Sequence, residues 1–260
     1  MKKICIVAIP RTGTNYLCSL LSQHKDIDSK REIFHNKNHF SIKENEISDF
    51  LKMTNTRIAY NKTGEIIDFL SKHPRDLTTY LLKNSKSNIL SYKIFPSHLN
   101  RSILIKEIIN DKNTTFLICK RKPIDSYISR EKARLTKMHT KINTTDLLIS
   151  ICFEDYKTWY VQMKEWYEFI EKTIQDNNQK MEIIYYEDFT KKTDLSNLTN
   201  ILEHIRKLNI PIEDIDSIKL SNLQQKQDNN TDYTKKVSNW SEFFNDVSKE
   251  KWEDKIEIHF

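Results

Sequence analysis

Short apolar runs alternate with segments of helical periodicity along this chain. Four runs predict strands, because they are short, rich in β-branched and aromatic residues, and bounded by polar or turn residues. They are 3–9 (KICIVAI), 88–95 (NILSYKIF), 114–120 (TTFLICK) and 180–189 (KMEIIYYEDF). The run 114–120 is apolar over most of its length, which is typical of a central parallel strand covered on both faces. The alternation therefore predicts an α/β protein whose parallel strands are joined by crossover helices.

Helical periodicity fills the intervals between these runs. The leucines after Thr14 repeat at helical spacing, and Pro123 stands where a proline opens a helix. The segment 145–176 carries a wide apolar stripe that must be buried, which predicts one long helix. One predicted helix begins at about Thr14, and four others span 101–111, 123–137, 145–176 and 195–208.

The rest of the chain adds no sign of a second unit. A polar stretch, 224–234, predicts a loop before a terminal segment that holds Trp240, Phe243 and Phe244. The sequence has no internal repeat and no long low-complexity tract. We therefore expect the whole chain, 1–260, to form one domain.

Composition and charge limit the classes of function. The chain has 260 residues, 38% of them apolar, and carries 42 basic against 36 acidic residues, a net charge of +6. This surplus favours anionic ligands but falls short of what nucleic-acid binding would need. We therefore expect no nucleic-acid partner.

The cysteines and the apolar runs bear on location. Cys5, Cys18, Cys119 and Cys152 form no C-x-x-C pair and have no histidine at zinc spacing, so we expect reduced core thiols and no metal site. The run ICIVAI is too short for a signal peptide, and no run of about eighteen apolar residues, the length of a membrane span, is present. These features predict a cytoplasmic protein without a membrane span.

The turn after the first predicted strand is the first candidate site. It lies in IPRTGTNYL, and its Gly13 is one of only two glycines in the chain. A helix N-terminus that follows a strand gathers unpaired backbone N–H groups, which bind phosphate. Gly13 would let the backbone approach such a ligand, and Thr12 and Thr14 would add hydroxyl donors. The Walker pattern is absent, which disfavours kinase chemistry; a plain turn capped by threonine is the alternative.

A second candidate site follows the run 114–120. Arg121 stands at the carboxyl end of that predicted strand, where open α/β sheets bind ligands, and Ser129 follows eight residues later in the next helix. An arginine and a hydroxyl can together hold a phosphate monoester. The alternative is a surface charge and an ordinary hydroxyl on a helix face.

PRTGTNYL resembles the 5′-phosphosulfate-binding loop of sulfotransferases that use 3′-phosphoadenosine 5′-phosphosulfate (PAPS), especially the bacterial carbohydrate-modifying group. The spacing of Arg121 and Ser129 resembles the 3′-phosphate motif of the same family. The resemblance implies a three-layer α/β/α fold similar to that of P-loop NTPases, PAPS as co-substrate and no metal. It implies that Arg11 stabilises the departing phosphate, that Thr12, Gly13, Thr14 and Asn15 hold the 5′-phosphate, and that Arg121 and Ser129 hold the 3′-phosphate.

Two further stretches resemble this family. IIYYEDF (183–189) is similar to its Y-E-D-L segment, although structural acids at a strand end are an equal explanation for Glu187 and Asp188. YTKKVSNWSEFF (233–244) is similar to the C-terminal region that closes over the 3′-phosphate. Lys235 and Lys236 are therefore candidates for that contact, with surface lysines as the alternative. The family often has arginine and glycine in this stretch, and this chain has neither.

Three residues are candidates for the base that accepts the proton of the acceptor. Glu32, in SKREIFH, resembles a glutamate of the bacterial relatives and is the first choice. His98 lies in a stretch similar to the lysine-then-histidine region of the animal branch, which spaces the two more closely than Lys93 and His98. His35 is the third candidate, and a solvated loop residue is the alternative for each.

The acceptor and two rival functions stay open at this point. The resemblance implies a hydroxyl acceptor on a carbohydrate or glycolipid, selected by variable loops at 36–87 and 138–146. A kinase with a degenerate P-loop would bind ATP with magnesium, whereas a sulfotransferase would bind 3′-phosphoadenosine 5′-phosphate (PAP) without metal. A non-catalytic basic module for nucleotides or polyanions would need basic residues interleaved with exposed aromatics, but the tryptophans here have a spacing typical of a core.

Overall fold

The computed structural model describes residues 1–38, 41–59, 61–138, 143–213, 220, 223, 228 and 230–260. In these residues a central sheet of five parallel strands has the order β2-β3-β1-β4-β5. The sequence pattern does not predict β2, because its three residues are too few to show a period. The strands are β1 (Lys2–Val7), β2 (Ile27–Ser29), β3 (Ile89–Ile94), β4 (Thr114–Lys120) and β5 (Met181–Tyr185).

Helices connect the strands and cover the sheet. α1 begins at Thr14, as predicted, and α6 begins at Pro123, whose fixed φ suits a first helical turn. The predicted helix from residue 101 starts as α5 and continues as a π-helical turn, Leu104–Ile109. The α-helices are α1 (Thr14–Leu21), α2 (Glu44–Met53), α3 (Thr63–Lys72), α4 (Pro74–Lys83), α5 (Arg101–Ile103), α6 (Pro123–Thr136), α7 (Phe153–Asp176), α8 (Asp194–Lys207), α9 (Trp240–Lys249) and α10 (Asp254–Glu257).

The two faces of the sheet bury different helices. Ile4 and Ile6 of β1 belong to a hydrophobic cluster with α1 and α8. Cys5 and Val7, on the opposite face, belong to a second cluster with apolar side chains of α4, α6 and α7. Because side chains alternate along a strand, an apolar strand of this kind has to be covered on both faces. The three-layer α/β/α architecture is thus confirmed.

The strands β1, β3 and β4 end side by side, and their outgoing helices diverge there. α1 packs on one face of the sheet, whereas the π-helical turn after β3 and α6 after β4 pack on the other. Such a switch point opens a crevice in which α/β proteins bind ligands. Buried Tyr167 of α7 ties the ends of β1 and β4 together. Its hydroxyl accepts from the N–H of Ile9 at 3.2 Å and donates to the carbonyl of Cys119 at 2.8 Å.

The first part of the predicted helix 145–176 is not helical. α7 begins only at Phe153, and Ile149 instead forms an isolated parallel bridge with Val237. The side chain of Asn239 donates to the carbonyl of Ile151 at 2.9 Å and accepts from its N–H at 3.0 Å. These contacts satisfy backbone groups that a longer helix would have paired internally, so the periodicity of this stretch is overridden by tertiary structure.

The stretch 36–87 is largely helical where the structure describes it, so the prediction of variable loops is wrong for most of its length. It contains α2, α3 and α4, which bury Phe50, Leu70 and Leu81 in the core. Each is only ten residues long, but its apolar residues repeat at helical spacing, as Ile47, Phe50 and Leu51 do in α2, so the sequence carries a helical signal that the loop prediction missed. In the other predicted acceptor loop, residues 139–142 lie outside the described residues, as do 224–227 and 229 of the predicted loop 224–234.

All four cysteines lie in the described residues, and each is a free thiol. Cys5, Cys18 and Cys119 are buried, as predicted, but Cys152 is exposed just before α7, so the prediction of a core thiol is wrong there. Across the described ranges, no helix combines the length and apolar composition needed to cross a membrane. Nor do three or more His, Cys, Asp or Glu side chains of those ranges group closely enough to hold a metal ion.

Candidate active site

Two residues of the turn between β1 and α1 have a left-handed backbone. Arg11 has φ 74°, and Gly13, the residue before α1, has φ 75°. A positive φ is uncommon for a residue with a Cβ atom, and such strain clusters at functional sites. Turns that combine right- and left-handed residues present successive N–H groups to an anion. The turn thus has the backbone form of an anion-binding loop.

The two threonine hydroxyls of this turn already have protein partners. The hydroxyl of Thr12 donates to the carbonyl of Ile9 at 2.8 Å, and Thr12 is fully buried. The hydroxyl oxygen of Thr14, also buried, accepts from Nζ of Lys93 at 3.4 Å. In this arrangement Thr12 offers a ligand its backbone and not its hydroxyl proton, which differs from the expectation.

Position 13 has room only for glycine, because the ring of Tyr186 packs against it. The sequence pattern does not predict this contact. A Cβ atom on Gly13 would lie 2.3 Å from Cδ2 and 2.4 Å from Cε2 of Tyr186. Tyr186 follows β5, and the guanidinium group of Arg121 lies over its ring, with Cζ 4.2 Å from the ring centroid. The aromatic ring therefore packs directly on the turn and joins it to Arg121.

The two predicted phosphate-binding elements touch each other. Nε of Arg11 donates to the hydroxyl of Ser129 at 3.0 Å, and Nη1 of Arg121 donates to the carbonyl of Arg11 at 2.8 Å. Burial lowers the pKa of Arg11, and the neighbouring charge of Arg121 lowers it further. Among the described residues, Nε of Arg121 is buried without a hydrogen-bond partner. Two close guanidinium groups with an unsatisfied donor favour a ligand of high negative charge.

A buried lysine connects the turn to the base candidates. Lys93 of β3 is 1% exposed, and its Nζ donates to Oδ1 of Asn15 at 2.7 Å. The same Nζ forms an ion pair with Oε1 of Glu32 at 2.9 Å. Glu32 reaches this position because backbone pairing continues past β2, where the N–H of Lys93 donates to the carbonyl of Arg31 at 3.2 Å. The sequence gives no local signal for this contact.

Glu32 and His98, predicted as alternatives, form one pair. Oε2 of Glu32 lies 3.7 Å from Nε2 of His98, whose Nδ1 accepts the N–H of Phe95 at 3.3 Å. In neutral His98 the proton therefore sits on Nε2, facing Glu32, and neither ring nitrogen has a lone pair for an acceptor's proton. The side chain of Glu32 is 22% exposed, against 2% for that of His98. Geometry and access thus favour Glu32 as the base.

The electrostatics of the pair keep Glu32 ionised. Burial alone would raise the pKa of Glu32, but His98 and Lys93 outweigh it and lower the pKa to about 2. His35, the third candidate, adjoins the pair: its ring lies 5.9 Å from the ring of His98, edge to face. Its Nδ1 accepts the N–H of Lys37 at 3.1 Å.

The two candidate lysines of the C-terminal region have different surroundings. Lys236 is 7% exposed, and its Nζ donates to Oδ1 of Asp125, in the first turn of α6, at 3.1 Å. Lys235 is exposed in the 3₁₀ turn Tyr233–Lys235. Lys236 therefore faces the helix that carries Ser129, and Lys235 faces solvent.

Glu187 has structural partners. Its Oε1 accepts the N–H of Lys122 at 3.2 Å, and its Oε2 lies 2.7 Å from Nε2 of His259. Glu187 thereby fastens the turn after β4, which carries Arg121, to the C-terminal segment. Asp188 is exposed, and its backbone carbonyl accepts from the side chain of Asn200 at 3.4 Å.

Comparison with solved structures finds similar proteins at low identity. The chain is similar to a sulfotransferase from Alicyclobacillus acidocaldarius, with 12% identity and a TM-score of 0.40 over 96% of this chain and 94% of that one. It is also similar to a retinol dehydratase in complex with androsterone and the inactive cofactor PAP, with 11% identity and a TM-score of 0.35 over 80% of this chain and 64% of that one. No curated protein is a significant match.

A family model gives the assignment. The model described as "Sulfotransferase family" matches residues 3–214. The match spans all but the first residue of the central sheet, the turn that holds Arg11 and Gly13, and the element from Arg121 to Ser129. This chain belongs to the sulfotransferase family.

Proposed function

We propose that this protein transfers the sulfuryl group of PAPS to a hydroxyl group of an acceptor. The observation that carries the proposal is the contact between two phosphate-binding elements, in which Arg11 donates to Ser129 and Arg121 donates to the carbonyl of Arg11. Two adjoining sites suit a nucleotide with phosphate at both its 5′ and its 3′ positions. The buried Nε of Arg121, unpartnered among the described residues, suits a phosphate oxygen as acceptor.

Each half of the nucleotide has its own residues in this proposal. Thr12, Gly13, Thr14 and Asn15 hold the 5′-phosphosulfate at the start of α1, where the helix dipole favours an anion. Arg121 and Ser129 hold the 3′-phosphate. Lys236 joins them, because it is buried against α6, whereas Lys235 is exposed.

The reaction is an in-line transfer. The acceptor oxygen forms a bond to sulfur while the bond from sulfur to the bridging oxygen breaks, and the electron pair of that bond stays on the 5′-phosphate of PAP. Arg11 stabilises the negative charge that develops there. Glu32 takes the proton of the acceptor hydroxyl, and Lys93 and His98 position its carboxylate through contacts of 2.9 and 3.7 Å.

A carbohydrate or glycolipid is the proposed acceptor. The support is Arg11, which follows the proline of the turn as in the carbohydrate-modifying group that the turn resembles. The segment that carries Glu32 is bordered by α2, because Lys30 pairs with Glu46 of that helix at 3.0 Å. We therefore expect α2 to form part of the acceptor-binding surface. One domain and a cytoplasmic location stay predictions.

Calorimetry with PAP, with ATP and magnesium, and with an oligonucleotide tests the nucleotide assignment. We expect PAP to bind without added metal, and Arg121→Ala to weaken it at least about tenfold, since a charged hydrogen-bonding group is lost. Arg130→Ala is the control, because Arg130 is a 45% exposed arginine of α6 that pairs with Glu131. Tight ATP binding without PAP binding would favour a kinase, and oligonucleotide binding alone would favour a basic module.

Transfer itself is tested with labelled PAPS and a panel of sugars, glycolipids, phenols and peptides. With the wild-type protein, label is expected on a carbohydrate hydroxyl. With Glu32→Gln, label is expected on no member of the panel. Transfer to phenols or peptides alone would contradict the proposed acceptor and leave the proposed reaction intact.

A further inference from the structure

A carboxylate lies between the two residues assigned to the 3′-phosphate. Asp125 stands four residues after Arg121 and four residues before Ser129, so it shares a face of α6 with Ser129. A carboxylate beside a phosphate site is unexpected, since like charges repel. The contacts of Asp125 show what it does there.

Asp125 holds two side chains of the C-terminal region. Its Oδ1 accepts from Nζ of Lys236 at 3.1 Å, and its Oδ2 accepts from the hydroxyl of Tyr233 at 3.4 Å. Nζ of Lys236 also lies 5.1 Å from the centroid of the Tyr233 ring. The ammonium group of Lys236 is therefore confined between a carboxylate and an aromatic face.

Arg121 acts on the same group of residues. Burial raises the pKa of the Tyr233 phenol, Asp125 raises it further, and Arg121 lowers it. Burial also raises the pKa of Tyr186, which Arg121 lowers and Asp125 raises. Because Asp125 accepts from Tyr233 and Arg121 lies over the ring of Tyr186, and each charge also shifts the pKa of the other ring, Asp125 and Arg121 border one region of the molecule.

The backbone of this segment is anchored separately. The N–H of Ile149 donates to the carbonyl of Lys236 at 3.1 Å, and the N–H of Ser238 donates to the carbonyl of Ile149 at 2.8 Å. Val237 between them is buried. Loss of the Asp125 contact would thus release the side chain of Lys236 and leave its backbone in place.

We propose that Asp125 is a positioning residue that fixes Lys236 for the 3′-phosphate of the nucleotide. This inference rests on the proposed function. A lysine that is already confined loses little side-chain entropy when a phosphate binds. Its ammonium group has three N–H donors, of which Asp125 uses one. The carboxylate therefore strengthens the binding of an anion, contrary to the sign of its charge.

The test compares two neutralising substitutions on one helix. Asp125→Asn is expected to weaken PAP binding about fivefold to tenfold, through the freedom that Lys236 regains. The affinity for adenosine 5′-phosphate, which lacks the 3′-phosphate, is expected to change by less than about twofold. Glu131→Gln is the control, because Glu131 pairs with Arg130 and Arg134 on the same helix. If simple charge decided affinity, both variants would bind PAP more tightly.

Two further variants separate positioning from charge and from folding. Asp125→Glu keeps the charge but displaces the carboxylate, and we expect it to weaken PAP binding as well. In the Lys236→Met background, Asp125→Asn is expected to have no further effect on PAP. PAP binding as tight as wild type in Asp125→Asn or Asp125→Glu, or equal weakening of PAP and adenosine 5′-phosphate, would overturn the inference. Failure of the wild-type protein to bind PAP would instead overturn the proposed function.

Discussion

The two glycines of this chain provide a matched pair of substitutions. Gly13→Ala places a Cβ atom 2.3 Å from the ring of Tyr186 in a residue with φ 75°, whereas Gly64→Ala, in α3, meets nothing within 4 Å. A left-handed alanine costs about 1 to 2 kcal/mol. Displacing Tyr186 weakens its contact with Arg121, which adds about 0.5 to 1 kcal/mol. We expect Gly13→Ala to lower the free energy of unfolding by about 1.5 to 3 kcal/mol, the sum of these two terms.

Chemical denaturation of both variants measures this difference. Gly64→Ala is expected to raise the free energy of unfolding by about 0.5 kcal/mol, since alanine is the better helix former. Gly13→Ala is also expected to weaken PAP binding at least about tenfold, because Tyr186 and Arg121 move together. In the Tyr186→Ala background the clash is absent, so Gly13→Ala should cost only about 1 to 2 kcal/mol, the cost of its positive φ. Equal stability and equal PAP affinity of the two alanine variants would refute the reasoning.

Three other outcomes follow from the same structure. Glu32→Gln should lower kcat for sulfate transfer by about a hundredfold or more while PAP affinity stays near that of wild type; undiminished turnover would remove Glu32 as the base. Because folding lowers the pKa of Glu32 from 4.5 to about 2, its ionised form stabilises the protein above pH 4.5, and this contribution, about 3 kcal/mol at most, disappears as the pH falls toward 2. Denaturation of wild type and Glu32→Gln between pH 2 and 7 should show their difference shrinking on acidification; a constant difference would contradict the ion pair. Tyr167→Phe should lower the free energy of unfolding by about 2 kcal/mol, because the buried N–H of Ile9 and the carbonyl of Cys119 lose their shared partner; an unchanged denaturation midpoint would show that this bridge contributes nothing.

Local patterns in the sequence predict the elements of the proposed phosphate sites. β4 matches its predicted bounds because an apolar run of that length has to be a covered strand, and α6 begins at Pro123 because proline suits only the first turn. The turn with Arg11 and Gly13 lies between two such elements. Its proximity to Arg121 follows from the parallel sheet, since parallel strands end at one edge.

The same reasoning fails where distant residues compete with local propensity. The stretch before Phe153 has helical periodicity, but it pairs with the C-terminal region through Ile149 and Val237. The helices within 36–87 have apolar residues at helical spacing, but each is only ten residues long and is stabilised mainly by the core against which it packs.

The sequence by itself determined the class of fold, the two elements that we propose to bind phosphate and the family resemblance, because each follows from the order and spacing of residues within local segments of the chain. Only the tertiary structure decided how these parts act together. It placed Tyr186 on Gly13 and joined the rival bases Glu32 and His98 through a network with Lys93. Such contacts join residues far apart in the chain, and they leave no periodic signal because any one of many partners could satisfy a given polar or aromatic side chain.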